Sequence, residues 1–203
     1  MAKSKLVGKP KNIHISFSDR KLEVLRAAAR LFNRHGYHNT TMDDIAAALG
    51  VTKPALYYYA KSKDEVLYEV ITYAVKEAEA AMLPAMNEGD TGAERLRIFF
   101  DAWSRHVCGD FGRCLVQTHP KSLESKTRRK NRLARRNLHQ QIENSLCLGM
   151  KDGSIRAADP KLLALGLFDL FNGIAHWHDP GGRLSPEDIA GEYWRTFFSG
   201  ILV

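Results

Sequence analysis

The chain has 203 residues, an apolar fraction of 44% and a net charge of +7. That length suits one domain of ordinary size, or a small domain joined to a larger one, with enough apolar material for a core. No run of about 18 apolar residues offers a transmembrane helix. No apolar stretch follows the basic start MAKSKLVGKPKN as in a secretory signal, and three cysteines without metal or framework spacing (Cys108, Cys114, Cys147) fit a reduced, cytoplasmic chain.

In chain order every element reads as helix, and neither sustained apolar alternation nor an Asn-Gly turn suggests a strand. A first helix over 18–35 carries an apolar stripe of Leu22, Leu25, Ala28/Ala29 and Phe32 and stops at Gly36. Thr41 caps a second helix, with Asp44 at the capping-box position, and Gly50 ends it. A short third helix begins near Thr52, with Pro54 in the first turn where its missing N–H costs nothing. A fourth opens at Ser62, with Glu65 three residues on, and runs to about Met82, before Pro84. After the loop NEGDTG, helices are predicted over 92–108, near 112–119, and over 122–151, 159–177 and 185–200. The expected fold is all-α, about nine helices.

The excess charge is local. Residues 1–63 hold twelve lysines and arginines against four acids, whereas 64–203 hold eighteen against nineteen. A basic module on a near-neutral body points to a polyanion for the module alone. The expected division is therefore 1–63, a basic arm and reading module, and 64–203, the remainder.

The module has a helix-turn-helix pattern. Ala46 is small where two helices would touch, Gly50 supplies the turn, and Ile45, Leu49, Val51 and Leu56 lock the crossing. Helical side chains step by about 100°, so Tyr57, Tyr58 and Tyr59 sweep around the flank opposite Leu56. Such tyrosines suit a duplex, with hydroxyls for phosphate and rings for sugars or a thymine methyl. One face of Tyr57 is expected to be buried. Lys53 is the long polar side chain at the start of the helix that enters the groove, between compact Thr52, Pro54 and Ala55. Thr41 and Lys63 begin the flanking helices, where backbone N–H groups meet phosphate.

The segment VLRAAARLFNRHGYHNTTMDDIAAALGVTKPALYYYAKSKDEVL, residues 24–67, resembles the DNA-binding domain of TetR-family (tetracycline-repressor-like) transcriptional regulators. The matching elements are Ala28, Phe32, Gly36-Tyr37, Thr40-Thr41, Ile45-Ala46, Gly50-Val51, Leu56-Tyr57 and Ser62-Lys63. One departure is Ala60, where the family usually has phenylalanine, a truncation worth about 3 kcal/mol if nothing fills the space. The resemblance implies an all-α homodimer that binds double-stranded DNA at a near-palindromic operator, and a C-terminal domain that binds a small effector and pairs its last two long helices with a partner's. For pairing, 159–177 and 185–202 offer wide apolar stripes that include Leu167, Phe168, Phe171, Ile189, Tyr193 and Phe197. An effector pocket between helices four to eight would draw on Phe99, Trp103, His106, Phe111, His119, Phe171 and His176, although aromatic residues at helical spacing also simply pack.

The segment 121–136 holds eight basic residues and one acid in an otherwise acidic half. It reads as a solvated face, as extra DNA affinity, or as the mouth of a site for an anionic effector such as an acyl-CoA, whose phosphates suit arginine forks. Neither a cofactor nor a metal is expected: His176 and His178, two apart on a helix, point to different sides. An enzyme built on Cys114 with His119, or His176 with Asp179, lacks a third group and an oxyanion device. A constitutive architectural DNA-binding protein is the rival, and it would show no effector response. The basic arm (Lys3, Lys5, Lys9, Lys11) suits a minor groove or phosphate.

Overall fold

The computed structural model describes residues 16–119, 123, 125–197 and 199. Among them the chain forms nine helices and no strand. These are α1 (Phe17–His35), α2 (Met42–Leu49), α3 (Lys53–Tyr57), α4 (Lys63–Glu88), α5 (Gly92–Cys108), α6 (Asp110–Gln117), α7 (Ser125–Asp152), α8 (Pro160–Trp177) and α9 (Pro186–Phe197). The basic arm and Lys121 lie outside the described residues.

Local chemistry sets the helix starts. The Ser16 hydroxyl accepts from the Asp19 N–H at 3.1 Å, and that of Ser62 from Glu65 N–H at 3.1 Å. Thr41 and Asp44 form the reciprocal capping box, as do Thr91 and Glu94. The expected stop of α4 before Pro84 is corrected: the helix runs on to Glu88. Pro84 is exposed, as is Ala80 one turn back, so water can meet the carbonyl that the ring deprives of a donor.

Two apolar cores share α4. The first gathers Val24, Leu25, Ala28, Ala29 and Phe32 of α1, Ile45 and Ala46 of α2, Leu56 of α3, Val66 to Ala74 of α4, and Phe111, Cys114 and Leu115 of α6. The second begins at Ala78 on α4 and joins α5, α7, α8 and α9. It is built on rings: Phe100 stacks on Phe171 at 4.4 Å, and Phe99 on Trp103 at 5.6 Å. The composition shift at 63 therefore falls at the start of α4, whereas the packing of the first core extends along α4 and takes in α6. α6 reaches that position by close contact with α5. A Cβ on Gly112 would stand 1.9 Å from the His106 carbonyl oxygen, so only glycine lets the two helices meet there.

Candidate nucleic-acid interface and effector cavity

The reading motif is held from beneath. Gly50 takes a left-handed conformation (φ 64°, ψ 29°) that lets α2 end abruptly, and the Val51 N–H returns to the Ala46 carbonyl at 3.1 Å. Leu56 and Ile45 are fully buried, fixing α3 against α2 and α4. Thr52, Lys53, Pro54, Ala55, Tyr57 and Tyr58 are left exposed on one surface. Tyr58 is 73% exposed.

The tyrosines differ from expectation in one respect. α3 ends at Tyr57, so the 100° step does not carry on to the next two rings. Tyr57 stays exposed, and Tyr59 is the half-buried ring, stacked on Phe17 at 5.3 Å. Tyr58 meets Phe17 and Tyr59 edge-on, at 5.5 and 5.3 Å. Ala60 is buried, and Tyr59 packs against the same core.

Lys53 Nζ donates to Asp43 Oδ2 at 2.9 Å, and this contact raises the lysine pKa. Both groups are exposed, so solvent screens the pair and a phosphate or base edge can replace the carboxylate. Lys63 departs further from the expected free cation. Its Nζ donates to the carbonyls of Tyr37 (2.9 Å) and His38 (3.4 Å) and lies 4.4 Å from the Tyr37 ring centre. The Tyr37 hydroxyl in turn donates to Asp64 Oδ1 at 2.5 Å. These carbonyls just beyond the end of α1 draw the ammonium inward, and Lys63 thereby ties the α1–α2 loop to the start of α4. Thr41 is committed as well: its hydroxyl donates to Asp44 Oδ2 at 2.8 Å and accepts the Asp44 N–H at 3.1 Å, holding the Asp44 carboxyl below its usual range.

The expected effector residues are mostly dispersed. Phe99 and Phe171 are core, and Phe111 packs in the first core against Tyr73 at 4.5 Å. His119 and His176 are exposed. The His106 side chain is enclosed between the Trp103 ring and Glu77, and burial lowers its pKa to about 4, so it is neutral. These rings sit at helical spacing because they pack. Of the expected set, Trp103 lines a cavity. That cavity, about 40 Å³, lies among α4 to α8, with Val75, Asn131, Arg135, His139, Phe168 and Asn172 in its wall. Val75, Asn131 and Ala134 also line a cleft of about 260 Å³ between α4 and α7, with buried Ile71 at its floor and exposed Leu133 at its rim.

The cavity's polar groups are few. Trp103 Nε1 donates to Asn172 Oδ1 at 3.1 Å, which fixes that amide with its NH₂ free to donate. Asn131 is 4% exposed and its Oδ1 has no partner among the described residues. Arg135 donates to the Leu115 carbonyl at 3.4 Å, and burial lowers its pKa. No acid among the described residues lines the cavity. On the other side of α7, Arg129, Arg132, Leu133 and Arg136 are exposed, at the spacing that makes one helix face.

Of the expected pairing residues, Leu167, Phe168, Phe171 and Ile189 are buried in the chain's own second core, Tyr193 is half-buried, and the Phe197 side chain lies outside the described set. The exposed apolar face of α8 is the opposite one, with Leu162 at 68%, Leu165 at 46% and Trp177 at 50%. Cys114 is buried and hydrogen-bonded to Thr118, and burial pushes its thiol up to about 11, far from a nucleophile. His178 is buried, with Arg113 donating to its carbonyl at 2.8 Å, while His176 faces solvent. No helix among the described residues is long and apolar enough to cross a membrane.

This geometry is shared with known proteins. Residues 24–70 match the model for bacterial regulatory proteins of the tetR family, and residues 89–201 match the tetracyclin repressor-like C-terminal domain. An uncharacterized HTH-type transcriptional regulator of Bacillus subtilis, YhgD, is 28% identical over 85% of this chain and 92% of its own. The crystal structure of the TetR-family regulator PfmR from Thermus thermophilus is 32% identical, with a TM-score of 0.76 over 84% of this chain and 93% of its own. That of AibR in complex with isovaleryl coenzyme A and operator DNA is 27% identical, with a TM-score of 0.77 over 88% of this chain and 98% of its own. A glycine-turned reading motif at one end, a helical body with an internal cavity at the other, and two family models matching those two parts lead to one assignment: the chain belongs to the TetR family of transcriptional regulators.

Proposed function

We propose that this regulator is a repressor that binds a near-palindromic operator as a homodimer and leaves it when an acyl-CoA enters the α4–α7 cleft. One observation carries the reading. The helix that bears the cleft's outer wall carries exposed Arg129, Arg132 and Arg136 on the face next to Leu133, which lines the cleft, so groups that suit a nucleotide's phosphates lie within a helical turn of an apolar lining residue. The likeness to AibR, solved with isovaleryl coenzyme A and operator DNA, supports the ligand class. Because α4 lines the cleft and begins beside the reading motif, a ligand that selects one setting of α4 changes operator affinity, and DNA and ligand weaken each other equally. In the dimer, the exposed α8 face of Leu162, Leu165 and Trp177 meets its copy. The DNA surface comprises Thr52, Lys53, Pro54, Ala55, Tyr57, Tyr58 and the backbone at Thr41, with Tyr59 and Lys63 shaping it from behind.

The test is titration of short-chain acyl-CoAs into the protein on its operator, read by fluorescence anisotropy. A fall in anisotropy with saturating, reciprocal linkage is expected. An unchanged signal with every thioester would leave a constitutive DNA binder. Two substitutions separate the roles on the DNA side. Lys53→Ala should reduce discrimination between operator variants by about tenfold or more at one base position. Lys63→Ala should lower the melting point by a few degrees and weaken all duplexes alike, because it loosens the α1–α2 loop. Identical profiles for the two would refute this division of labour.

A further inference from the structure

The inner cavity has room for about three water-sized groups, judged by the volume one water needs. That is the size of a carboxylate. The groups around it are chosen for an anion. Asn172 is turned by Trp103 so that its NH₂ remains as a donor. The Arg135 guanidinium has five N–H donors, and among the described residues its hydrogen bond is one long contact to the Leu115 carbonyl. Asn131, nearly fully buried, carries an amide oxygen with no partner among the described residues. A half-turn of that amide would present its NH₂ instead. The remaining wall is apolar apart from His139, whose pKa burial lowers. Arg135 is partly open to solvent, and among the described residues it is the one cation in a cavity wall that holds no acid.

We propose that Arg135, Asn131 and Asn172 bind a carboxylate carried at the inner end of the effector. The inference rests on the cleft between α4 and α7 being the effector site. It narrows the ligand to one with a short apolar spacer and a terminal acid. The spacer lies along Ile71, Val75 and Ala134 in the cleft. The acid enters the cavity beyond. Two sources share this chemistry: a dicarboxylic acid joined as a thioester to coenzyme A, whose phosphates then meet the arginine face of α7, and the free dicarboxylic acid.

The experiment is isothermal titration of the full chain with glutaryl-CoA, valeryl-CoA and free glutarate. Glutaryl-CoA is expected to bind at least about tenfold more tightly than valeryl-CoA, as a charge-assisted hydrogen bond to a desolvated carboxylate should. Arg135→Gln should erase that preference by weakening glutaryl-CoA while leaving valeryl-CoA unchanged, and Arg135→Lys should restore part of it. The valeryl-CoA affinity and melting curve of each variant report its folding, and the wild-type comparison decides the matter if a variant does not fold. Equal affinities, or a preference for valeryl-CoA, would overturn the carboxylate site and leave the thioester reading standing. Binding of glutarate without either thioester would keep the carboxylate site and overturn the thioester reading. No binding by any of the three would overturn both.

Discussion

Gly112→Ala is expected to lower the stability of the folded chain by about 3 kcal/mol, the upper range for forcing atoms into a packed contact, which for a chain of this length corresponds to roughly 10 °C in melting temperature. The added Cβ would stand 1.9 Å from the His106 carbonyl oxygen and 2.5 Å from its carbon. Both belong to the last turns of α5, so no side chain can rotate away and α6 itself must retreat. α6 cannot retreat without withdrawing Phe111, Cys114 and Leu115 from the first core, where all three are buried. Thermal melting by circular dichroism measures the loss. A shift under about 2 °C would mean that α6 can shift at little cost, and that it does not bind the two cores as tightly as described.

Leu56→Ala should remove about 3 kcal/mol and weaken operator binding by about a hundredfold. α3 is five residues long, too short to persist unaided, and Leu56 is its buried side chain. Without that anchor, Thr52, Lys53 and the exposed tyrosines keep their identity and lose their register against the duplex. Tyr58→Ala is the companion measurement: its ring is mostly in solvent, so it should weaken DNA binding with little change in melting. A Leu56→Ala protein that binds operator normally would mean that α3 is not the element that reads it.

Much of the reading motif was legible in the sequence because it is built from short-range devices. The Thr41–Asp44 box, the left-handed Gly50 and the proline-bearing first turn of α3 each depend on residues within a few positions. The cavity is a long-range construction. Phe99, Phe111 and Phe171 were as plausible in a pocket wall as in a core, since periodicity reports which face is inside and not what the inside contains. Leu167, Phe168 and Ile189 show the same ambiguity. A stripe buried by the chain's own helices looks like one buried by a second chain. One signal for the cavity was present. Asn131, Arg135, Leu138, Ile142 and Leu146 share one face of α7, so the inward apolar stripe of that helix continues into two polar residues inside a run whose charge reads as surface. Pro84 misled for a physical reason, because a proline near a solvated helix end removes one bond that water can replace.

The length of α4 has a mechanical consequence. Its 26 residues make a rod of about 39 Å, and about 18 Å separate Val75, beside the cavity, from Lys63 at the reading end. A swing of roughly 10° about the cavity would carry that end about 3 Å, and two such rods swinging oppositely in a pair would change the span between readers by about 6 Å, a sizeable part of the 34 Å or so that separates successive turns of the double helix. The clamp of Lys63 and Asp64 on Tyr37 leaves little slack at the joint, so a displacement too small to notice at the ligand would arrive almost undiminished at the DNA.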